Sequence, residues 1–253
     1  MEIIEKAEAY IEKDDDMVYD HTKVILSGAD GDFYYARTTH HRKVKDVNTD
    51  QLDNMQRIPD EHVLPLADPD FTLAPEPLPS TAYVKRPSLL NYEPENDHQE
   101  FLDLILSEIR VCEILGRNPH PNIAIYLGCL VNKQGRISGL VYAKYPVALS
   151  QLLKDGTLFN RERCFSGIEA GINHLYSLGL IHNDINPTNI MMVGVGDEME
   201  PVIIDFDSCR SEGEELGPKG GTMGWCLEDA DISSRDNDLY ALSKIRDALG
   251  KSG

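Results

Sequence analysis

The segment Gly179-Leu180-Ile181-His182-Asn183-Asp184-Ile185-Asn186-Pro187-Thr188-Asn189-Ile190-Met191-Met192 constrains this chain more than any other stretch. It sets His182, Asp184 and Asn189 in an H-x-D-x-x-x-x-N spacing just ahead of an apolar run. A second apolar run, Val202-Ile203-Ile204, then delivers Asp205 and Phe206. Asn, Asp and Pro are common turn residues, so any one of these positions alone could simply fill a turn. Three polar positions at this spacing, followed by a strand-terminal aspartate, carry more information. A carboxylate that orients a hydroxyl, with an amide and a second carboxylate that hold magnesium, is the set phosphoryl transfer requires.

At 253 residues the chain fits one large domain or two lobes sharing a cleft. Its 24 Lys and Arg against 43 Asp and Glu give a net charge of −19. That balance argues against general binding to nucleic acid or an anionic membrane, because phosphate contacts need clustered Lys and Arg. The acidic runs at Asp14 to Asp16, Asp197-Glu198 and Glu212 to Glu215 read as solvated surface. Five cysteines are widely scattered and form no C-x-x-C pair. With no secretory apolar segment, they predict reduced thiols in a cytoplasmic or nuclear protein. No stretch approaches the roughly 18 apolar residues of a membrane span.

The patterning is strand-rich before Tyr145 and helical after it. Residues 1–23 read as a short amphipathic helix running into an acidic patch. Val24-Ile25-Leu26 and Phe33 to Arg37 read as a hairpin, and polar His40 to Glu61 as helix or loop. Prolines recurring from Pro65 to Pro87 exclude regular helix there, and Thr81 to Lys85 reads as a strand with Tyr83 and Lys85 on one side. Gln99 to Leu115 has apolar residues at helical spacing, with Gly116 as its stop. Ile123 to Val131 and Ile137 to Lys144 read as an antiparallel pair. Helices follow from Ser150 and over Arg161 to Leu178, then a hairpin of Ile190 to Val193 with Val202 to Phe206, and a last helix over Asp236 to Leu249. This order predicts an α+β fold of two lobes with a cleft between them.

Further features fall in line with the opening motif. Lys85 closes a strand and Glu108 lies within the long helix, the order expected when a carboxylate holds a lysine that reaches nucleotide phosphates. His120-Pro121-Asn122-Ile123 follows that helix, Gly221-Thr222-Met223-Gly224-Trp225 follows Asp205, and Asp238 opens the final helix. Over residues 80–250 these motifs, in this order, resemble the eukaryotic protein kinase-like superfamily. The overall cast is similar to short fungal protein-kinase-like proteins with a shortened C-terminal lobe. The resemblance implies an N-terminal extension (1–75) adding to a partial N-lobe, a kinase-like N-lobe (76–145) and a C-lobe (146–253) ending after the helix of Asp238.

It also implies roles. Asp184 orients the attacking hydroxyl, assisted by Asn186 and Asn189, while His182 supports the loop. Asn189 and Asp205 hold magnesium bridging the phosphates of ATP, and Lys85, held by Glu108, meets the α/β-phosphates. The stretch from Tyr142 through Lys144 to Tyr145 forms the hinge that meets adenine. Several positions depart from the pattern. No G-x-G-x-x-G occurs, and Ser27 to Asp32 lies too far from Lys85, so Ala67 to Leu73 is the expected cover for the phosphates. Asn183 stands where an arginine normally pairs with an activation-loop phosphate, Asn186 where a lysine is usual, and Asp207 where a glycine follows Asp-Phe. Cys226-Leu227-Glu228-Asp229 replaces the usual proline-glutamate pair, and the chain stops at Gly253. An ATP- and magnesium-dependent protein kinase acting on Ser/Thr hydroxyls leads, with its protein substrate open and a partner expected over the shortened lobe. A catalytically weak or inactive pseudokinase binding module is the alternative. A small-molecule kinase of the aminoglycoside or choline type is the third.

Overall fold

The computed structural model describes residues 1–13, 16–28, 32–39, 49, 52–90, 92–94, 98–217 and 221–250. The chain divides into two compact units. The first comprises Met1–Ala67, Arg86–Asp103 and Asn132–Ser138, and the second Asp68–Lys85, Leu104–Val131 and Gly139–Gly253.

In the first unit, strands β1 (Glu2–Lys13), β2 (Asp16–Ser27), β3 (Phe33–Thr38) and β4 (Asp53–Arg57) form an antiparallel sheet in that order, followed by the short helix α1 (Asp60–Val63). Leu26 pairs with Tyr34 and Ser27 with Phe33, the hairpin that the apolar runs predict. Its turn at 29–31 lies outside the described residues. No helix forms over the described part of residues 1–23. The Glu, Lys and Ala that favour helix there are overridden by a long ladder between β1 and β2, from Glu2↔Ser27 to Lys13↔Asp16. The continuous apolar run of β2 has a simple cause: both faces of the strand are covered. Ile25 packs with Tyr35, Ile58, Val63, Leu64, Leu89 and Tyr92, while Val24 and Leu26 pack with Ala36 on the other side. Polar groups close the unit. Lys23 Nζ lies 2.5 Å from Glu93, which Arg37 also reaches at 2.7 Å.

The second unit carries the motif residues. Strand β5 (Ala82–Lys85) is followed by helix α2 (Gln99–Arg117), which enters this unit at Leu104, and by β6 (Tyr126–Val131) and β7 (Ile137–Ala143). These strands form a three-stranded sheet in the order β5-β7-β6. Next come β8 (Val147–Ala148), α3 (Leu149–Asp155), α4 (Arg161–Ser177), β9 (Leu180–Ile181), β10 (Ile190–Val193), β11 (Glu200–Ile203), β12 (Arg210–Ser211) and α5 (Arg235–Gly250). The Asn160 side chain caps α4 by accepting from Arg163 N–H at 2.9 Å, one of the donors a helix start leaves unpaired. Cys164, Phe165, Ile168, Ile172 and Leu175 form the buried face of α4, which packs on β11, β9 and α5. The His120-to-Ile123 element has a structural task. Asn122 donates through Nδ2 to Pro201 O at 2.8 Å, and its own carbonyl accepts from Ile203 N–H at 2.9 Å, so the chain entering β6 is tied to β11. Among the described residues no helix is long and apolar enough to cross a membrane.

The cysteines are free thiols, and all but Cys226 are buried. Burial pushes Cys164 up to about 12 and raises Cys112 and Cys209 as well. A thiol reagent at neutral pH is therefore expected to modify Cys226 first and the other four only after denaturation, as read by peptide mapping.

Candidate functional site

Lys85, at the end of β5, points its ammonium into a group of carboxylates. Its Nζ lies 2.7 Å from Glu108 Oε1 on α2, 2.5 Å from Asp205 Oδ1 and 3.7 Å from Asp207 Oδ2. Burial works against the charged ammonium, but the three carboxylates outweigh it and the Lys85 pKa is pushed well up. Glu108 is almost fully buried, and burial raises its carboxyl against the opposing pull of Lys85. The set carries more negative than positive charge, which suits a cation arriving with phosphates. β11 ends at Ile203, two residues short of Asp205, whose φ of 66° turns the backbone out of the strand.

Asp184 is fixed from three directions. Its Oδ1 accepts from Asn186 Nδ2 at 3.1 Å and from Thr222 N–H at 2.8 Å, and its Oδ2 accepts from Asn189 Nδ2 at 2.9 Å. Asn189 also donates to the Asp184 carbonyl at 3.0 Å, which leaves Asn189 Oδ1 as the atom able to meet a cation. One amide oxygen with the Asp205 carboxylate, completed by phosphates and water, fits a magnesium ion. Asn186 turns its Oδ1 to Thr188 and its Nδ2 to both Asp184 and Thr222 Oγ1, so it braces the aspartate with a neutral amide in place of a charge.

Beneath this loop lies a buried polar layer. Asp238 accepts from His182 N–H at 3.0 Å and from Asn183 N–H at 2.9 Å. His182 Nε2 bonds Ile204 O at 3.1 Å, and its ring meets Phe206 edge-on at 5.6 Å. The loop is thereby joined to the Asp205 turn.

A cavity of about 410 Å³ adjoins Lys85 and Asp205, lined by Tyr83, Ala124, the stretch from Tyr142 to Tyr145, Met191 and Ile204. Its size and mostly apolar walls suit a small aromatic ligand. Lys144 N–H donates to Thr81 O at 2.7 Å, and Tyr145 Oη accepts from Ile125 N–H at 3.0 Å, so both residues are held at the cavity wall. Tyr142 also lines the cavity, but its hydroxyl donates to Glu108 Oε1 at 3.2 Å and lies 3.1 Å from Cys112 Sγ.

No family model matches the chain. Among solved structures, a chain of the yeast RNA Pol II CTD kinase CTDK-1 complex superposes with a TM-score of 0.51 at 16% identity, over 68% of this chain and 55% of that one. This chain has a protein kinase-like fold. It spans about half the length of the chain it matches, 55%.

Within this kinase-like fold one segment lies elsewhere than the sequence predicts. Residues 68–74 do not reach Lys85. Cys129 N–H donates to Thr72 O at 2.8 Å and Ala74 N–H to Cys129 O at 3.0 Å, so this segment lies along β6, at the opposite edge of the sheet from β5. It cannot cover phosphates held by Lys85. Asn183, in the place of the kinase arginine, is no vacancy. With φ at 65° it is buried, and its Nδ2 bonds Ile181 O, Ser208 O and Ser233 Oγ at 3.2, 3.0 and 3.0 Å while its Oδ1 accepts from Asn237 at 2.9 Å. Ladder bonds hold the following segment as well. Leu216 N–H donates to Asp231 O, and Ser233 N–H to Glu214 O, each at 2.8 Å. Thr222 does not stand out as a site residue by spacing alone. Only the position of Thr222 in the Gly221-to-Trp225 motif hints at its contact with Asp184. A Cβ on Gly221 would sit 2.7 Å from Asn183 O, so a glycine is needed for Thr222 to come so near.

Proposed function

We propose that this chain is an ATP- and magnesium-dependent phosphotransferase that acts on Ser/Thr hydroxyls of a protein. The observation that carries this reading is the convergence of Lys85 on both Glu108 and Asp205, at 2.7 and 2.5 Å, beside the cavity. Lys85 supplies a fixed positive charge for the α/β-phosphates, and Glu108, steadied by Tyr142, keeps it aimed. Asp184 accepts the hydrogen bond of the incoming hydroxyl, orients its oxygen toward the γ-phosphorus and takes up its proton as the new oxygen–phosphorus bond forms and the bond from the γ-phosphorus to the β–γ bridging oxygen breaks, with ADP as the leaving group. Asn186 holds Asp184 in place. Magnesium, when bound by Asn189 and Asp205, neutralises charge on the phosphates.

The test is transfer of labelled γ-phosphate from ATP with magnesium to the protein itself and to a peptide pool. Wild type is expected to transfer label. Lys85→Met is expected to lower the rate by about two orders of magnitude or more, the scale for losing a fixed charge at a transferring phosphoryl group. Absence of transfer to any acceptor would sink the reading.

A second reading, a nucleotide-binding module without turnover, is favoured by one observation. Residues 68–74 are committed to β6, so the segment that the sequence offers as cover for the phosphates is engaged elsewhere. Thermal unfolding separates the two. Ligand at about 100 times its Kd adds about 2.7 kcal/mol to the native state and raises Tm by several degrees. A shift without transfer identifies the binding module.

A further inference from the structure

We infer that Glu113 and the segment Asp68–Ala74 form a built-in clamp that holds α2 where Glu108 meets Lys85, making Glu113 a positioning residue. Its activity arm rests on the phosphotransferase reading; its chemical arm does not.

Glu113 is a carboxylate with only 6% of its surface exposed. An isolated buried charge of this kind is costly, so its partners define its purpose. Thr72 provides two of them. Its N–H donates to Glu113 Oε1 at 2.7 Å and its hydroxyl to Oε2 at 2.9 Å. Tyr126 Oη donates to Oε1 at 3.2 Å, and Arg117 lies 3.8 Å away. The carboxylate is saturated by groups from three separate pieces of chain, and the Thr72 pair is bidentate.

Thr72 is itself fixed. The bonds of Thr72 and Ala74 with Cys129 make this segment an added edge beside β6. The fit is tight: Gly128 has a φ of 122°, and a Cβ there would lie 2.5 Å from the Leu73 carbonyl carbon. No side chain larger than hydrogen can occupy that position while the segment is in place.

The helix transmits the restraint. Glu108 and Glu113 are five residues apart on α2, which separates them by about 140° around the axis and about 7.5 Å along it. One buried carboxylate thus anchors the helix toward Lys85, and the other anchors it toward the far edge of the sheet. With Glu113 released, the polar contacts of α2 toward the sheet among the described residues are those of Glu108 with Lys85 and Tyr142 and of Cys112 with Tyr142. Glu108 then shares Lys85 with Asp205 and Asp207 without a second restraint on its distance.

The test uses the 253-residue chain carrying Glu113→Ala, Glu113→Gln or Thr72→Val. The primary readout is the rate at which an amine-reactive reagent labels Lys85, measured by mass spectrometry without nucleotide. Glu113→Ala is expected to raise that rate about tenfold, the effect of weakening a charge-assisted contact to the ammonium. Glu113→Gln, which still accepts from Thr72 N–H, is expected to recover most of the wild-type protection. Thr72→Val, which loses only the hydroxyl bond, is expected to fall between and keeps the inference testable where Glu113→Ala does not fold. Where wild type transfers phosphate, kcat/KM should fall in the same order. If melting temperatures drop while Lys85 labelling stays at the wild-type rate in all folded variants, Glu113 serves stability alone and the clamp is refuted. Failure of the phosphotransferase reading would show instead as a wild type that neither binds nor turns over ATP, with the labelling series still decided on its own.

Discussion

Asp184→Asn is expected to reduce phosphate transfer by at least about 10²–10³-fold while the protein stays folded. Three donors aim at this side chain: Asn186 Nδ2, Asn189 Nδ2 and Thr222 N–H. A carboxylate can accept all of them and still offer a lone pair to a substrate hydroxyl. An amide has one acceptor oxygen, and its NH2 must face a donor wherever it turns. The substitution therefore removes the group that takes the proton and leaves at least one of the neighbouring donors unmatched. The local mismatch should cost about 1–2 kcal/mol, small enough for a folded domain to absorb. Single-turnover transfer and urea unfolding on the same preparation check both parts. A variant that retains near-wild-type transfer would remove Asp184 from the chemistry.

The site and the fold were legible in the sequence to different depths. The loop from His182 to Asn189, Asp205, Lys85 and Glu108 could be found because each needs a particular side chain at a spacing set by one strand, helix or turn. Helices α2, α4 and α5 were legible for a related reason, since their apolar faces repeat over several turns. The strand β1 was not. Its Glu, Lys and Ala residues favour helix, and only the ladder with β2 decides otherwise. Contacts between distant residues were also hidden. Thr72 and Glu113 are 41 positions apart, and nothing near either one announces the other. Asn183 shows the limit most clearly. Its identity marks a missing arginine, but its positive φ and its bonds to Ser208, Ser233 and Asn237 depend on where three other segments lie. The substitution replaces a charge that would wait for a phosphate with an amide that is already satisfied. Phosphatase treatment of active protein is accordingly expected to leave its transfer rate unchanged, measured with the same peptide pool.

The second large effect concerns the base of the loop. Asp238→Ala is expected to destabilise the protein by about 2–4 kcal/mol and to abolish ordered placement of Asp184. Asp238 is fully buried, and its two oxygens are the acceptors for the backbone N–H groups of His182 and Asn183. Those two donors have no water to turn to, and each unmatched buried donor costs about 1–3 kcal/mol. Relief from burying a charge offsets part of the loss, which is why the total stays below the full sum. Asp238→Asn should be milder, since one amide oxygen remains to accept. Burial raises the Asp238 carboxyl despite the opposing effects of His182 and the two N–H bonds. A carboxyl raised in the folded state contributes stability that is complete below its unfolded value, near 3.8, and is lost as pH rises through the folded value. The asparagine variant has no such titration, so its deficit relative to wild type should shrink from pH 4 toward pH 7. Urea unfolding across that range measures the trend, and a deficit that grows with pH would mean that Asp238 is held as a stabilised anion, with its N–H bonds outweighing its burial.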